Sequence, residues 1–519
     1  MEELEPRLPL ERKSKHSFAL PRRTGQITPL TRLRILSTCA HIRMTTAQQL
    51  VAPLTAIFVL AMLPTACAAP HTATPATKPT APLPSKAQLG WQRAELGVLV
   101  SYDLHTFGDG RYNQRLARIT PIKNIDRFAP EQLDTDQWIR AVKAAGARFA
   151  ILTASHESGF RLWRSQTNPY SLRSVKWGEG KRDLVGEFHA SCRKYGIQPG
   201  IYLGTRWNAQ LGVFDFKVTE RSTITQSQYN ALIEREVEEI CTQYGDWFEF
   251  WFDGGAHGPE QGGPNILAVV AKHQPNAVFY HNLQRADARW GGSESGTVAY
   301  PCWSTFPYPV TGAGESARPE IAANSFALLK RGDPDGNHWL PAMSDAPLRG
   351  HGGHEWFWEP GDERLLQPLP KLVDMYCRSI GHNSTLILGL TPDTRGRMPD
   401  ADVTRLTEFG ETIDRMFGHP LAATSTITKG KAHELPFDQT LEFDLIVLQE
   451  HIELGERVRK YELQVHDGGW RTFATGSCIG HKRIHRLPEL LRGNAVRLRV
   501  LESRASPHIQ HMSVHRQSH

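Results

Sequence analysis

The chain has 519 residues, 40% of them hydrophobic and 22% charged, the composition of a soluble globular protein too long for one ordinary domain. The formal charge of +6 is uneven: residues 1–43 hold nine Arg/Lys against four Glu, a net of +5, which leaves about +1 elsewhere and argues against a nucleic-acid footprint. Seven cysteines without a Cys-x-x-Cys pair offer neither a zinc spacing nor a dense disulfide framework.

Taken in order, the first distinctive stretch is Leu50–Ala69, apolar and ending in small residues. Its core is short for a membrane span and reads as a secretory signal, with Arg32, Arg34 and Arg43 as a basic flank and Ala66-Cys67-Ala68 as a cleavage site. An n-region starting at Met1 would be unusually long, which makes Met44 an alternative start. Export, to the periplasm or medium, is the expectation. Leu63-Pro64-Thr65-Ala66-Cys67 loosely resembles a lipoprotein box and gives a lipid anchor at Cys67 as the alternative. A Pro/Thr/Ala-rich linker, His71–Ser85, follows.

Beyond it, strands and helices alternate. Strands are expected at Leu96–Tyr102, Arg148–Ala154, Gln198–Leu203, Trp247–Asp253, Ala277–His281 and Thr385–Leu390. Helices are expected at Asp136–Gly146, Asp183–Tyr195, Tyr229–Tyr244, Asn265–His273 and Lys371–Ile380. Such alternation implies a parallel sheet, and this many units imply an α/β fold of the (β/α)8-like barrel type. Near residue 425 the period changes to two (Phe443, Leu445, Val447; Tyr461, Leu463, Val465; Val496, Leu498, Val500), which predicts a C-terminal antiparallel β-sandwich. The expected domains are 1–69 (basic extension and signal), 70–89 (linker), 90–422 (barrel) and 423–519 (sandwich).

The run Phe248–Phe252 is a buried strand ending in Asp253-Gly254-Gly255. Asp253 reads either as the opener of an Asp-Gly turn or as a carboxylate at the mouth of the barrel, where such folds keep their chemistry. Polar residues end other strands too: His105 after the first, His156 and Glu157 after the second, Trp207 and Asn208 after the third, His281 after the fifth. His, Asn, carboxylate and Trp together suit a sugar pocket, aromatics meeting the ring face and polar groups the hydroxyls. Glycoside hydrolysis needs a second carboxyl group opposite the first. Glu157, Glu294 (beside Trp290 in a Gly/Ser-rich loop) and Glu355 (beside Trp356) are the candidates, and spacing alone does not choose among them.

From about Leu96 to Gly418 the motifs resemble the α-L-fucosidase family of glycoside hydrolases, family 29. The resemblance is carried by Glu249–Gly254, by His156–Phe160 with Leu162-Trp163, by Trp290–Gly296, by His354–Trp358 and by Gly381–Asp393. It implies a retaining mechanism with Asp253 as nucleophile. The loop Trp290-Gly291-Gly292-Ser293-Glu294-Ser295-Gly296 is similar to the family's Trp-x-Gly-Asn-Glu-x-Gly, which favours Glu294 as acid/base. Two positions depart from the family pattern, Glu157 for a second His and Ser101 for a His, and they bear on which sugar is accepted. The C-terminal part looks like the galactose-binding-like domains appended to this family. The resemblance thus implies a retaining exo-α-L-fucosidase, and from the strand-end residues and the family motifs together the expected substrate contacts are His105, His156, Glu157, Trp163, Trp207, Asn208, His281, Trp290, Glu355 and Trp356. An α-L-galactosidase or a catalytically silent sugar-binding protein are the rival readings. No cofactor, metal, nucleic acid or membrane-embedded part is expected.

Overall fold

The computed structural model describes residues 82–108, 110–307, 325–350 and 356–517. The expected export segment Leu50–Ala69 and the candidate Glu355 lie outside them.

Eight parallel strands form one sheet: β1 (Leu96–Val100), β2 (Phe149–Ser155), β3 (Gln198–Leu203), β4 (Glu249–Trp251), β5 (Val278–Tyr280), β6 (Arg289–Trp290), β7 (Ala342–Pro347) and β8 (Ser384–Leu390). Their order across the sheet, β5-β4-β3-β2-β1-β8-β7-β6, is that of a (β/α)8 barrel left unzipped between β5 and β6. At that seam Asp287 does the work of a strand: its amide donates to Phe279 O at 3.1 Å and its carboxylate accepts from Phe279 N at 2.9 Å. Helices α2 (Thr135–Ala144), α3 (Leu184–Tyr195), α4 (Gln226–Gln243), α5 (Ile266–His273), α6 (Leu369–Ser379) and α7 (Asp400–Phe417) pack outside. Their starts follow from sequence: Asp134 caps α2 through Gln137 N, Asp183 caps α3 through Gly186 N, and Thr225 with Gln228 forms a capping box on α4.

Strands β6 and β7 escape the sequence reading. β6 has two residues and β7 reads Ala-Met-Ser-Asp-Ala-Pro, too polar for a strand buried on both faces. Among the described residues of the long excursion between them there is one short helix, Ser325–Arg331.

Side-chain alternation along the strands decides what reaches the barrel's interior. Phe250 on β4, Val98 and Val100 on β1, and Ala150 and Leu152 on β2 join the cluster shared with the helices. Leu99, Phe149, Ile151, Tyr202, Trp251, Tyr280, Met343 and Ile387 form a second, interior cluster with Trp91. Trp91 belongs to α1 (Lys86–Ala94), whose first residues fall in the stretch read as linker; Ser85 caps it. It closes the barrel floor, where Gln88 donates to Asp287 O and Trp339 O, and Gln92 accepts from the Trp339 indole.

On β4 the interior parity runs from floor to mouth as Glu249, Trp251, Asp253. Glu249 is fully buried and accepts the Trp91 indole N–H at 2.7 Å. Burial raises its carboxyl to about 7 against an ordinary 4.5, the Trp91 hydrogen bond opposing. The folded state therefore keeps a proton that the unfolded chain releases, so stability should fall as pH rises from about 4.5 to about 7 and then level off. A shift of that size corresponds to ~3 kcal/mol. Glu249→Gln keeps an acceptor for Trp91 without the ionisable group. Its melting temperature relative to the parent should therefore climb across that window, and a pH-independent difference between the two proteins would refute the assignment.

The C-terminal part is a seven-stranded antiparallel sheet, in the order β9-β15-β11-β14-β12-β13 with β10 on β15. These strands are β9 (Ala422–Thr424), β10 (Thr428–Lys429), β11 (Ala432–Glu450), β12 (Val458–His466), β13 (Trp470–Gly476), β14 (Arg483–Ser503) and β15 (His508–His515). Register shifts interrupt the long β11–β14 pair, and residues from β11, β12, β14 and β15 share one core, so the sheet folds over itself as a sandwich does. Polar side chains hold its junction with the barrel. Asn383 donates to Glu456 Oε1 at 2.5 Å and accepts from His481 N at 2.7 Å, while Lys482 and His481 both hold Glu95. Among the described residues no helix is long and apolar enough to cross a membrane.

Candidate active site

The interior positions at the carboxyl ends of the strands line one pocket: Leu99 and Ser101 from β1, Thr153 and His156 from β2, Tyr202 from β3, Trp251 and Asp253 from β4, and Asp345 from β7. Glu294 from the loop after β6, Trp356 from the segment after β7 and Gln114 from a short helix complete it. Asp253 thus lies where alternation along β4 takes it, two residues beyond the inward Trp251. Gly254 and Gly255 follow with φ of +69° and +85°. The second turn glycine is also required by space, since a Cβ there would stand 2.8 Å from the His281 ring.

Three hydrogen bonds order the acids. The Tyr202 hydroxyl donates to Asp253 Oδ2 at 3.1 Å, the Trp356 indole to Glu294 Oε2 at 3.1 Å, and the Trp290 indole to Asp345 Oδ1 at 2.8 Å. Trp356 lies against β8, where Gly389 leaves room for its six-membered ring. The segment carrying Trp356 is anchored by buried Arg349, which pairs with Asp402 of α7 at 2.6 Å and with Asp362. His156 stacks on Tyr202 at 5.6 Å; burial lowers it to about 4, so it is neutral at pH 7, and its Nδ1 has no protein partner. The pocket therefore offers acids, one neutral imidazole, hydroxyls and indoles around a space closed below by the apolar barrel core.

A family model described as alpha-L-fucosidase matches residues 88–416. The chain belongs to the alpha-L-fucosidase family. A rice (Oryza sativa subsp. japonica) protein provisionally named alpha-L-fucosidase 1 is 31% identical over 479 residues, covering 85% of this chain and 86% of its own. Alpha-L-fucosidase 1 of Arabidopsis thaliana is 26% identical over 476 residues, covering 84% and 88%. Among solved structures, a Bacteroides thetaiotaomicron protein provisionally described as an alpha-L-fucosidase is 48% identical. It superposes with a TM-score of 0.80 over 84% of this chain and 99% of its own.

In this fucosidase-family chain the pocket gathers Asp253, Glu294, His156 and Trp356 from the residues expected by sequence, with Trp290 behind Asp345. His105 lines an adjoining cleft and packs edge-on against Tyr112 and Phe357. Glu157 does not line the pocket. A buried carboxylate needs a counter-charge, and Arg118 supplies it at 2.7 Å, with the Tyr112 hydroxyl at 3.0 Å. The residue that departs from the family pattern thus has a local partner. Trp207 is sandwiched between Arg118 at 3.6 Å and Arg206 at 4.4 Å, outside the pocket lining.

Trp163, Asn208 and His281 are not brought to the pocket either. Trp163 is fully buried and donates to Glu239 of α4 at 2.8 Å. Asn208 is buried in a turn, accepting from Leu211 N at 2.9 Å. His281 lies on Tyr280 behind the Gly255 turn. Each stands near a strand end in sequence, but proximity in sequence does not fix which side of the sheet a loop residue takes.

Conversely, Tyr202, Asp345 and Gln114 were missed. Tyr202 is readable: it shares interior parity with Gly200 on β3, and a hydroxyl on the penultimate residue of a buried strand is a signal of the same kind as Asp253. Asp345 needed β7 to be recognised first, and Gln114 comes from a connection no strand pattern predicts.

Proposed function

We propose that this protein is a retaining exo-α-L-fucosidase that releases terminal fucose from oligosaccharides or glycoconjugates. The observation that carries the reading is the meeting of Asp253 and Glu294 in one pocket of a fucosidase-family barrel, each oriented by its own donor, Tyr202 and Trp356. Asp253 attacks the anomeric carbon as the bond to the leaving oxygen breaks, and Glu294 gives that oxygen its proton. Glu294, now a carboxylate, takes a proton from water, whose oxygen attacks the same carbon and frees Asp253. An acid-rich pocket suits an oxocarbenium-like transition state, which develops positive charge on the sugar. The test is hydrolysis of a panel of aryl glycosides. The α-L-fucoside should be cleaved with retention and in preference to the α-L-galactoside, and equal or greater rates on the galactoside would overturn the sugar assignment.

The enzyme is also proposed to work after export through Leu50–Ala69, with the sugar chains of the cell exterior as substrates. Fractionation with mass measurement of the mature N-terminus tests this, and retention of Leu50–Ala69 in a cytoplasmic product would refute it.

Gly389 offers a test of the Trp356–Glu294 contact. A Cβ at this position would stand 2.3 Å from Trp356 Cζ3 and 3.2 Å from Pro347 Cα, so Gly389→Ala forces the indole aside and asks a far smaller adjustment of the neighbouring strand. Fucoside kcat/KM should fall about 10- to 100-fold with the fold retained by circular dichroism. Parent-like turnover would show that the indole does not position the acid.

A further inference from the structure

Three carboxyl groups line the pocket, and the two-step reaction uses two. The third, Asp345, is buried on β7 and its Oδ1 accepts the Trp290 indole N–H at 2.8 Å. The backbone of β7 also holds the loop that carries Glu294: Gly296 N donates to Asp345 O at 2.8 Å, and Gly291 N donates to Met343 O at 2.7 Å. Among the described residues the titratable side chains that weigh most on Asp345 are Glu294 and Asp253, both carboxyl groups, and the Tyr280 hydroxyl of β5 lies within reach of its field. Burial first, then Glu294, push its carboxyl well above the usual carboxylate range; Asp253 adds to this, and the Trp290 hydrogen bond opposes it without reversing it.

A buried carboxyl group that shares a pocket with two others is held toward its protonated form, and the position of that proton follows from the indole. A Trp N–H only donates, so Oδ1 takes the carbonyl role and Oδ2 carries the hydroxyl. A neutral acid in a binding pocket is a hydrogen-bond donor, as the nucleophilic carboxylate of Asp253 is not.

We propose that Asp345 reads the sugar as a neutral acid, donating a hydrogen bond from Oδ2–H to an oxygen of the bound glycoside alongside the reacting pair. This rests on the sugar-cleaving reading of the pocket. Anchoring Trp290 alone would need only an acceptor, whereas reading the sugar needs an acceptor and a donor on the same side chain. Asparagine has both and leucine has neither.

The experiment compares the parent, Asp345→Asn and Asp345→Leu in the full chain. It measures affinity for an L-fuco-configured iminosugar by calorimetry, kcat/KM against pH on an aryl α-L-fucoside, and melting temperature. The Asn variant should stay within about 5-fold of the parent in affinity and keep the alkaline limb of its profile in place. The Leu variant should lose about 10- to 100-fold in affinity while folded. If Leu prevents folding, Asp345→Ala takes its place. An Asn variant as impaired as Leu, or an alkaline limb moved a full pH unit lower in Asn because a negative charge beside Glu294 has gone, would mean that Asp345 acts as an anion and would overturn the proposal. A Leu variant that binds like the parent would reduce Asp345 to a scaffold. A parent that neither binds the iminosugar nor cleaves the fucoside would bring down the sugar-cleaving reading itself, and the proposal with it.

Discussion

Replacing Asp253 with alanine should lower fucoside turnover by about 10⁴- to 10⁶-fold, the scale seen when a covalent nucleophile is removed from an otherwise intact site. The loss should be chemical and not structural. Asp253 follows β4 outside its hydrogen-bonded ladder, and its side chain faces the pocket, with the Tyr202 hydroxyl as donor. The melting temperature should therefore change little. The vacated space next to Trp251 admits a small anion, so azide should restore part of the rate and give a fucosyl azide of inverted configuration. Residual activity near the parent's would end the assignment of Asp253. Rescue without inversion would mean that another group forms the covalent bond.

Glu294→Gln should cost about 10²- to 10⁴-fold, and the cost should depend on the leaving group. A natural disaccharide needs a proton on its departing oxygen and should lose the most. A dinitrophenyl fucoside leaves without help, so its first step should survive, and the covalent intermediate on Asp253 should accumulate because no base activates water. Mass spectrometry of the quenched enzyme should then find fucose on the peptide containing Asp253. Equal losses on both substrates would remove Glu294 from the acid's role. Glu355→Gln is the matched comparison, since Glu355 also stood open in the sequence, and it should retain the dependence on leaving group seen in the parent.

How much was legible follows from the physics of each element. The strand at Gln198–Leu203 and the helix started by Asp183 announce themselves because strong local signals coincide, apolar period with a cap and a glycine end, whereas the helix expected at Tyr229–Tyr244 begins three residues earlier, behind its Thr225 cap. β6 and β7 lack those signals. They owe their strand conformation to pairing with β8 and with each other, a long-range contact that no local window contains. The ten expected sugar contacts divide along the same line. His156 immediately follows a strand whose register shift between Thr153 and Ser155 turns it to the interior side, against simple alternation, whereas Trp163, Trp207 and Asn208 lie further along loops, whose course is set by partners distant in the chain: Glu239, Arg118 and the Gly159 turn.

The sequence by itself determined the barrel, the antiparallel C-terminal part, the family resemblance and Asp253, because period, caps and a carboxylate in register with buried aromatics are local properties of the chain. Only the tertiary structure decided that Glu157 is committed to Arg118, that Trp356 reaches Glu294, and that Asp345 makes a third acid in the pocket. Those facts depend on which side chains converge when eight strands curl round one axis, and convergence across 39 to 62 residues of sequence, the spans of the Arg118–Glu157 and Glu294–Trp356 contacts, is written in the packing and not in any single stretch.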